Sequence, residues 1–347
     1  MAKNKKQKPS FDYNQEVRRL REQGPERLYL LFGPEEYLRE LFLKELRKLC
    51  VPSANEFSYR RMDGQTLELG ALAEAVNAMP FFTERTFVEV RDFDLNRCRD
   101  AEWERLKGIV SDIPDWCTVA FVQSAGNPPD GRLAAVKGLK KLGHAVEVTE
   151  QAPKELRDWI AKRFRAYGKT ISAPDAEYML FLGGTRMSAL IPEIEKTAAY
   201  AKGEAVTRAD IDATVIRTPE AVVWDMIDDM ALRRFDRAAA SLSELLGNKE
   251  NHPIALNALI GQQFRRLYAV KTGQEAGLGK AELTELSGAP FDSAYYKLVD
   301  AARAYSREEL GGLVKLCAEY DFKMKSTGID PYVLIRELFA LLAAEDA

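Results

Sequence analysis

Over residues 28–148, five short apolar runs alternate with segments whose apolar residues recur at helical spacing, and that alternation admits few folds. Residues 28–32 (LYLLF) form a continuous run of strand length, after which Leu38, Leu41, Phe42, Leu46 and Leu49 follow a helical period. Phe57, Tyr59 and Arg61 alternate like a strand, and Leu67, Leu69, Leu72, Ala75 and Val76 return to helical spacing. Residues 86–90 (TFVEV), 118–122 (TVAFV) and 145–148 (AVEV) supply three more strands. Between them lie helical patterns through Trp103, Leu106, Ile109 and Val110, and again over 133–142. Strands with little polar alternation, each followed by a helix, predict a mostly parallel sheet covered on both faces.

The pattern changes near Glu150-Gln151-Ala152-Pro153, and no strand is predicted from Lys154 onward. Leu156, Trp159, Ile160 and Phe164 mark one helical face, which Tyr167-Gly168 ends. A second helix starts at Ala173-Pro174-Asp175, with proline at its first turn, and Gly183-Gly184 breaks it. A third spans 188–201, and Thr207 with Asp210 three residues on predicts the capped start of a fourth. Beyond Pro219, helices are expected at about 219–232, 235–246, 253–271, 280–287, 291–304, 307–324 and 331–344. The expected organisation is an α/β domain over 1–150, a small helical domain over 151–217 and an all-α domain over 218–347.

Composition narrows the function. A formal charge of −3 with 30% charged residues does not mark the whole chain as a nucleic-acid binder. No run is long and apolar enough to span a membrane, and the basic stretch with Lys3, Lys5, Lys6 and Lys8 has no apolar segment behind it. A frayed tail, no membrane contact and a cytoplasmic location are therefore expected. Cys50, Cys98, Cys117 and Cys317 form no C-x-x-C, and His144 and His252 stand alone, so neither zinc nor a Ser-His-Asp triad finds its residues. Both histidines are expected to be structural.

The turn after the first strand is the natural place for nucleotide chemistry. A P-loop there needs exposed backbone N–H groups, a lysine for the β/γ-phosphates and a hydroxyl for Mg²⁺. Here the turn reads Gly33-Pro34-Glu35-Glu36, with Leu38 and Arg39 where the second glycine and the lysine would stand. Two carboxylates would occupy the helix N-terminus that otherwise attracts phosphate. The scaffold of a nucleotide-binding domain without its phosphate chemistry points to a partner-binding protein, with no cofactor or metal. Asp92, after the third strand, would hold Mg²⁺ only in a competent ATPase and is expected to cap a turn instead. Arg186, two residues after Gly184 at a helix start, resembles a sensor arginine and is expected at a surface or inter-domain contact.

Two further segments stand out. In Asn77-Ala78-Met79-Pro80-Phe81-Phe82, adjacent aromatic residues follow a helix end and precede the polar turn Thr83-Glu84-Arg85. Neighbouring residues in a turn do not both face inward, so a Met/Phe cluster exposed on this loop would be a protein-binding anchor; the alternative is core packing under the sheet edge. Gln262–Tyr268 and Phe322–Lys325 mix basic and apolar residues, and are expected to bury Phe264, Leu267 and Tyr268 behind a solvated basic face.

Taken in order, LYLLFGPEEYLRE, NAMPFFTERTFVEVRD, NALIGQQFRRLYAVK and YDFKMKSTGIDPYVLIREL resemble the delta subunits of bacterial DNA polymerase III, over about 28–344. The resemblance implies an AAA+-like domain that does not hydrolyse ATP, a helical lid and a helical collar. It implies a clamp-loader subunit that binds and opens the sliding clamp, within a pentameric hetero-oligomer of loader subunits that also engages primed DNA. By the same match Met79, Phe81 and Phe82 would enter a hydrophobic pocket of the clamp. Asn77 stands where a longer glutamine is typical of the family. Two other functions remain open on residues alone: a divergent ATPase using Asp92 and Arg186, and a helical adaptor unrelated to replication.

Overall fold

The computed structural model describes residues 11–52, 58–81, 83–289 and 292–345. It divides into two compact units, residues 1–152 and 153–347. In the first, chain order is α1 (Tyr13–Gln23), β1 (Leu28–Phe32), α2 (Glu36–Cys50), β2 (Tyr59–Asp63), α3 (Leu69–Asn77), β3 (Thr86–Arg91), α4 (Asp100–Ser111), β4 (Cys117–Val122), α5 (Ala134–Leu142) and β5 (His144–Glu147). The five strands are all parallel, in the order β2-β3-β4-β1-β5.

Burial explains that order. Every residue of β1 and β4 is buried, as are the first five of β3, so these apolar runs take the centre, where both faces are covered. The edge strand β2 keeps Arg60 and Arg61 exposed, which guards its free backbone groups against pairing. Leu28, Leu30 and Phe32 point to one face, where they meet α3, α4 and α5 through Leu72, Leu106 and Leu139. Tyr29 points the other way, toward Phe42 of α2 and His144 (ring centroids 6.3 and 5.7 Å). The five strands and the helices between them lie where the period of the sequence put them.

Helix α1 was not anticipated. Its core contribution is only Val17 and Leu20, too few to show a period, and Asp12 caps it by accepting from the Gln15 N–H. It ties down His144, whose Nε2 lies 3.0 Å from Glu16. His252 instead caps a helix, accepting from the Ile254 N–H.

The second unit contains α6 (Pro153–Ala166), β6 (Thr170–Ile171), α7 (Ala173–Gly183), α8 (Met187–Tyr200), β7 (Ala205–Val206), α9 (Arg208–Thr214), α10 (Pro219–Ala231), α11 (Phe235–Gly247), α12 (Pro253–Glu275), α13 (Lys280–Ser287), α14 (Asp292–Ala302), α15 (Arg307–Ser326) and α16 (Pro331–Glu345). The expectation of no strand after Lys154 is corrected by β6 and β7, which pair in parallel. Two residues each are too short to show alternation. The long helix α12 packs against α10, α13, α14, α15 and α16. It buries Phe264 and Leu267 as expected but leaves Tyr268 at the surface, where its ring lies along Gly311 of α15. Among the described residues no helix is long and apolar enough to cross a membrane.

Asp228 of α10 gives this unit a pH dependence. Burial pushes its carboxyl up to about 6; Lys297 opposes the shift, while Asp229 and Asp300 add to it. Burial also lowers the Lys297 ammonium, so each charge only partly satisfies the other. A carboxyl raised in the folded state binds its proton more tightly there than in the unfolded chain. The resulting stability is present below the ordinary aspartate range and is lost as pH rises through about 6. Asp228→Asn is therefore expected to raise stability above pH 7 by about 1–3 kcal/mol, with no gain near pH 4. Thermal melts at the two pH values check this; a variant less stable than wild type at pH 7.5 would contradict it.

Candidate functional site

At the carboxyl end of β1 the chain turns through three residues, Gly33-Pro34-Glu35, into α2. This end of the sheet, between β1 and β4, is where the crossovers diverge to opposite faces and where α/β proteins take ligands. Here the protein fills it with its own groups. Glu35 is buried, and its carboxylate accepts from the Tyr37 N–H at the head of α2 (3.1 Å). Pro34 has no N–H to offer. Arg39, only 1% exposed, reaches back to donate to the Gly33 carbonyl (2.9 Å) and to the Glu36 carboxylate (3.0 Å). The cation at the lysine position thus holds the turn shut and does not face a ligand.

The neighbouring strand ends close the same crevice. Gln123, buried just past β4, donates its backbone N–H to Leu31 (2.8 Å) and its side-chain amide to the Phe93 carbonyl (3.0 Å). Asp92 adopts a left-handed backbone (φ +52°) and accepts from the Ser124 N–H (2.7 Å). Its carboxylate clasps the ends of β3 and β4 together. Arg186 is exposed and stands at the N-cap of α8 in the second unit. Among the described residues no group of His, Cys, Asp and Glu could hold a metal ion.

The other candidate lies at the opposite end of the sheet, where the chain enters β3. Helix α3 is anchored by Leu69, Leu72, Ala75 and Val76 and ends at Asn77. The Asn77 amide turns back to donate to the Ala73 carbonyl (2.8 Å). Ala78 is extended, and beyond it Met79 and Phe81 are 76% and 61% exposed. Phe82 lies outside the described residues. The Thr83 hydroxyl donates to the Arg85 carbonyl (2.8 Å), which fixes the turn into β3. The loop therefore presents two large apolar side chains to solvent from a mount fixed at both ends. Of the residues singled out in the sequence, Gly33, Pro34, Glu35 and Glu36 gather in one closed turn, and Met79 and Phe81 share one loop. The roles of Arg39 and Gln123 do not follow from spacing in the sequence. For Gln123 the signal was present: a lone amide directly after the apolar run TVAFV.

The comparisons with known proteins agree with one another. The family described as DNA polymerase III, delta subunit, matches residues 29–151, and its C-terminal domain matches residues 220–342. The chain is 28% identical over 324 residues to DNA polymerase III subunit delta of Bacillus subtilis (strain 168), covering 90% of this chain and 92% of that protein. It is 21% identical over 322 residues to the probable DNA polymerase III subunit delta of Aquifex aeolicus (strain VF5), covering 90% of each. Among solved structures it resembles the Bacillus subtilis DNA clamp loader delta protein, with a TM-score of 0.54 and 24% identity, over 96% of this chain and all of that one.

Proposed function

The chain belongs to the DNA polymerase III delta subunit family, and from that membership we propose that it is a non-catalytic clamp-loader subunit that binds the sliding clamp through the loop after α3 and holds the ring open. Its first unit is the AAA+-like parallel-sheet domain, and the second is helical apart from the short β6–β7 pair. The observation that carries the reading is the pair Met79 and Phe81, exposed on the loop that follows α3. The closed turn at Gly33 supports a subunit that leaves ATP hydrolysis to its neighbours. We read residues 151–217 as the lid and 218–347 as the collar through which it joins a pentamer; the C-terminal family match beginning at 220 supports that division.

The mechanism is differential binding. A closed ring is held by its own interfaces. A subunit whose bound shape fits only an opened interface shifts the population toward opening, by no more than its difference in affinity for the two states. Each large apolar side chain seated in a clamp pocket contributes roughly 1.5–3 kcal/mol before the costs of association. Clamp, neighbouring loader subunits and primed DNA are the partners, with DNA held through its phosphates by the whole assembly.

The test is a clamp labelled on both sides of one subunit interface. Adding the chain alone is expected to separate the labels, and a clamp that neither binds nor opens would refute the proposal. No Mg-ATP turnover above background is expected from the purified chain. Turnover abolished by Asp92→Ala would instead identify a divergent ATPase.

A further inference from the structure

An open groove of about 560 Å³ runs along the amino ends of β3, β4 and β1, beside the turn that leads out of the proposed clamp-binding loop. Its floor and rim include Leu28, Ile113 and Leu142, the last 42% exposed. Four charged side chains line it, Glu26, Arg27, Arg85 and Asp115. Arg27 is committed within the molecule, paired with Asp115 and donating to the Ile113 carbonyl (3.3 Å). Glu26, also in the lining, is paired with Arg19 (2.7 Å). Arg85 is different: among the described residues its guanidinium has no carboxylate partner, although it is half-buried at the groove wall.

Position links this groove to the loop. Arg85 is four positions along the chain from Phe81, at most about 14 Å of extended backbone. The Thr83 hydroxyl shortens that span by folding the turn onto the Arg85 carbonyl. A protein surface that seats Phe81 therefore comes within reach of Arg85 as well.

We propose that this groove is a second clamp contact, in which Arg85 takes a carboxylate from an acidic segment of the sliding clamp while Leu28, Ile113 and Leu142 receive its apolar flank. The inference rests on the reading of Phe81 as a clamp anchor and deepens it. An unpaired, partly desolvated guanidinium favours a carboxylate, which it can bind bidentately. The apolar floor favours a peptide segment over a free anion. Charge at such a site governs orientation and association rate, and the apolar anchors govern residence. The two contacts therefore have different signatures.

Clamp binding by wild type, Arg85→Gln, Asp115→Asn and Phe81→Ala, each at low and high salt, tests the idea. Arg85→Gln is expected to weaken binding roughly tenfold at low salt and to flatten its salt dependence, with an unchanged melting curve. Asp115 is an exposed residue, so Asp115→Asn keeps the fold; it frees Arg27 and is expected to tighten binding severalfold at low salt. Phe81→Ala is expected to weaken binding at both salt concentrations and to keep the wild-type salt slope. Wild-type affinity and salt slope in both Arg85→Gln and Asp115→Asn, with Phe81→Ala still defective, would overturn the groove alone. Should Arg85→Gln fail to fold, an unchanged Asp115→Asn overturns it. A wild-type chain that does not bind the clamp overturns the anchor reading and the groove with it.

Discussion

Replacing Phe81 by alanine is expected to weaken clamp binding by about 30- to 1000-fold and to leave the unfolding of the free chain almost unchanged. The separation of these effects follows from its surroundings. In the free chain Phe81 is 61% exposed, and truncation at such a surface site costs under about 0.5 kcal/mol. In a clamp pocket the same ring would be fully desolvated, and central aromatic anchors of that kind cost about 2–4 kcal/mol on truncation. At about 1.4 kcal/mol per factor of ten, that range gives the stated loss. Met79→Ala should follow the same pattern with a smaller loss, because a flexible thioether packs less specifically. Titration of a fluorescent clamp measures both, with melting curves as the control. A Kd within threefold of wild type for Phe81→Ala would remove the loop from the interface.

Gly33→Ala is expected to have the largest effect on stability, about 4 kcal/mol, lowering Tm by roughly 10 °C or more. Gly33 sits at φ +123°, where residues with a side chain rarely go. A Cβ built there would lie 2.2 Å from the Val148 carbonyl oxygen and 2.8 Å from its carbon and nitrogen. That backbone has no slack. The Val148 N–H donates to Phe32 (2.7 Å) and its carbonyl accepts from Glu35 (3.2 Å), so relief requires parting the end of β5 from β1. Calorimetry measures the change, and a loss under about 1 kcal/mol would show the turn to be far more pliable than described. Clamp affinity of whatever variant remains folded should be normal, because the loop after α3 lies at the other end of the sheet.

The parts legible in the sequence share one property: their signal is local and repeated. Strands β1, β3 and β4 announce themselves because burial on both faces leaves no polar alternation, helix α7 because proline stands in its first turn, and α9 because Thr207 and Asp210 stand at capping spacing. What was hidden depends on distant partners. Arg39 reads in the sequence only as a lysine that is missing; that it bends back to the Gly33 carbonyl is a fact of the fold. Tyr268 carries the right period for burial, but it stands 36% exposed with its ring beside Gly311 of α15. The exposure of Phe81 was open, since two adjacent aromatic residues cannot be sorted by spacing alone. Arg85 drew no attention because an arginine in a polar turn is ordinary until the acids around it prove to be engaged elsewhere.

The first unit also fastens its first described residue to its last segment. The Phe11 N–H donates to the Thr149 hydroxyl (2.8 Å), and the Gln151 amide donates to the Phe11 carbonyl (3.1 Å). A domain whose termini meet can be cut and rejoined elsewhere without stretching its backbone. Joining residue 11 to residue 152 through a short glycine linker and opening the chain in an exposed loop should yield a circular permutant with the same sheet. By the same geometry an insertion in an exposed loop of this unit would lengthen the chain without prising apart the contact between residues 11 and 151.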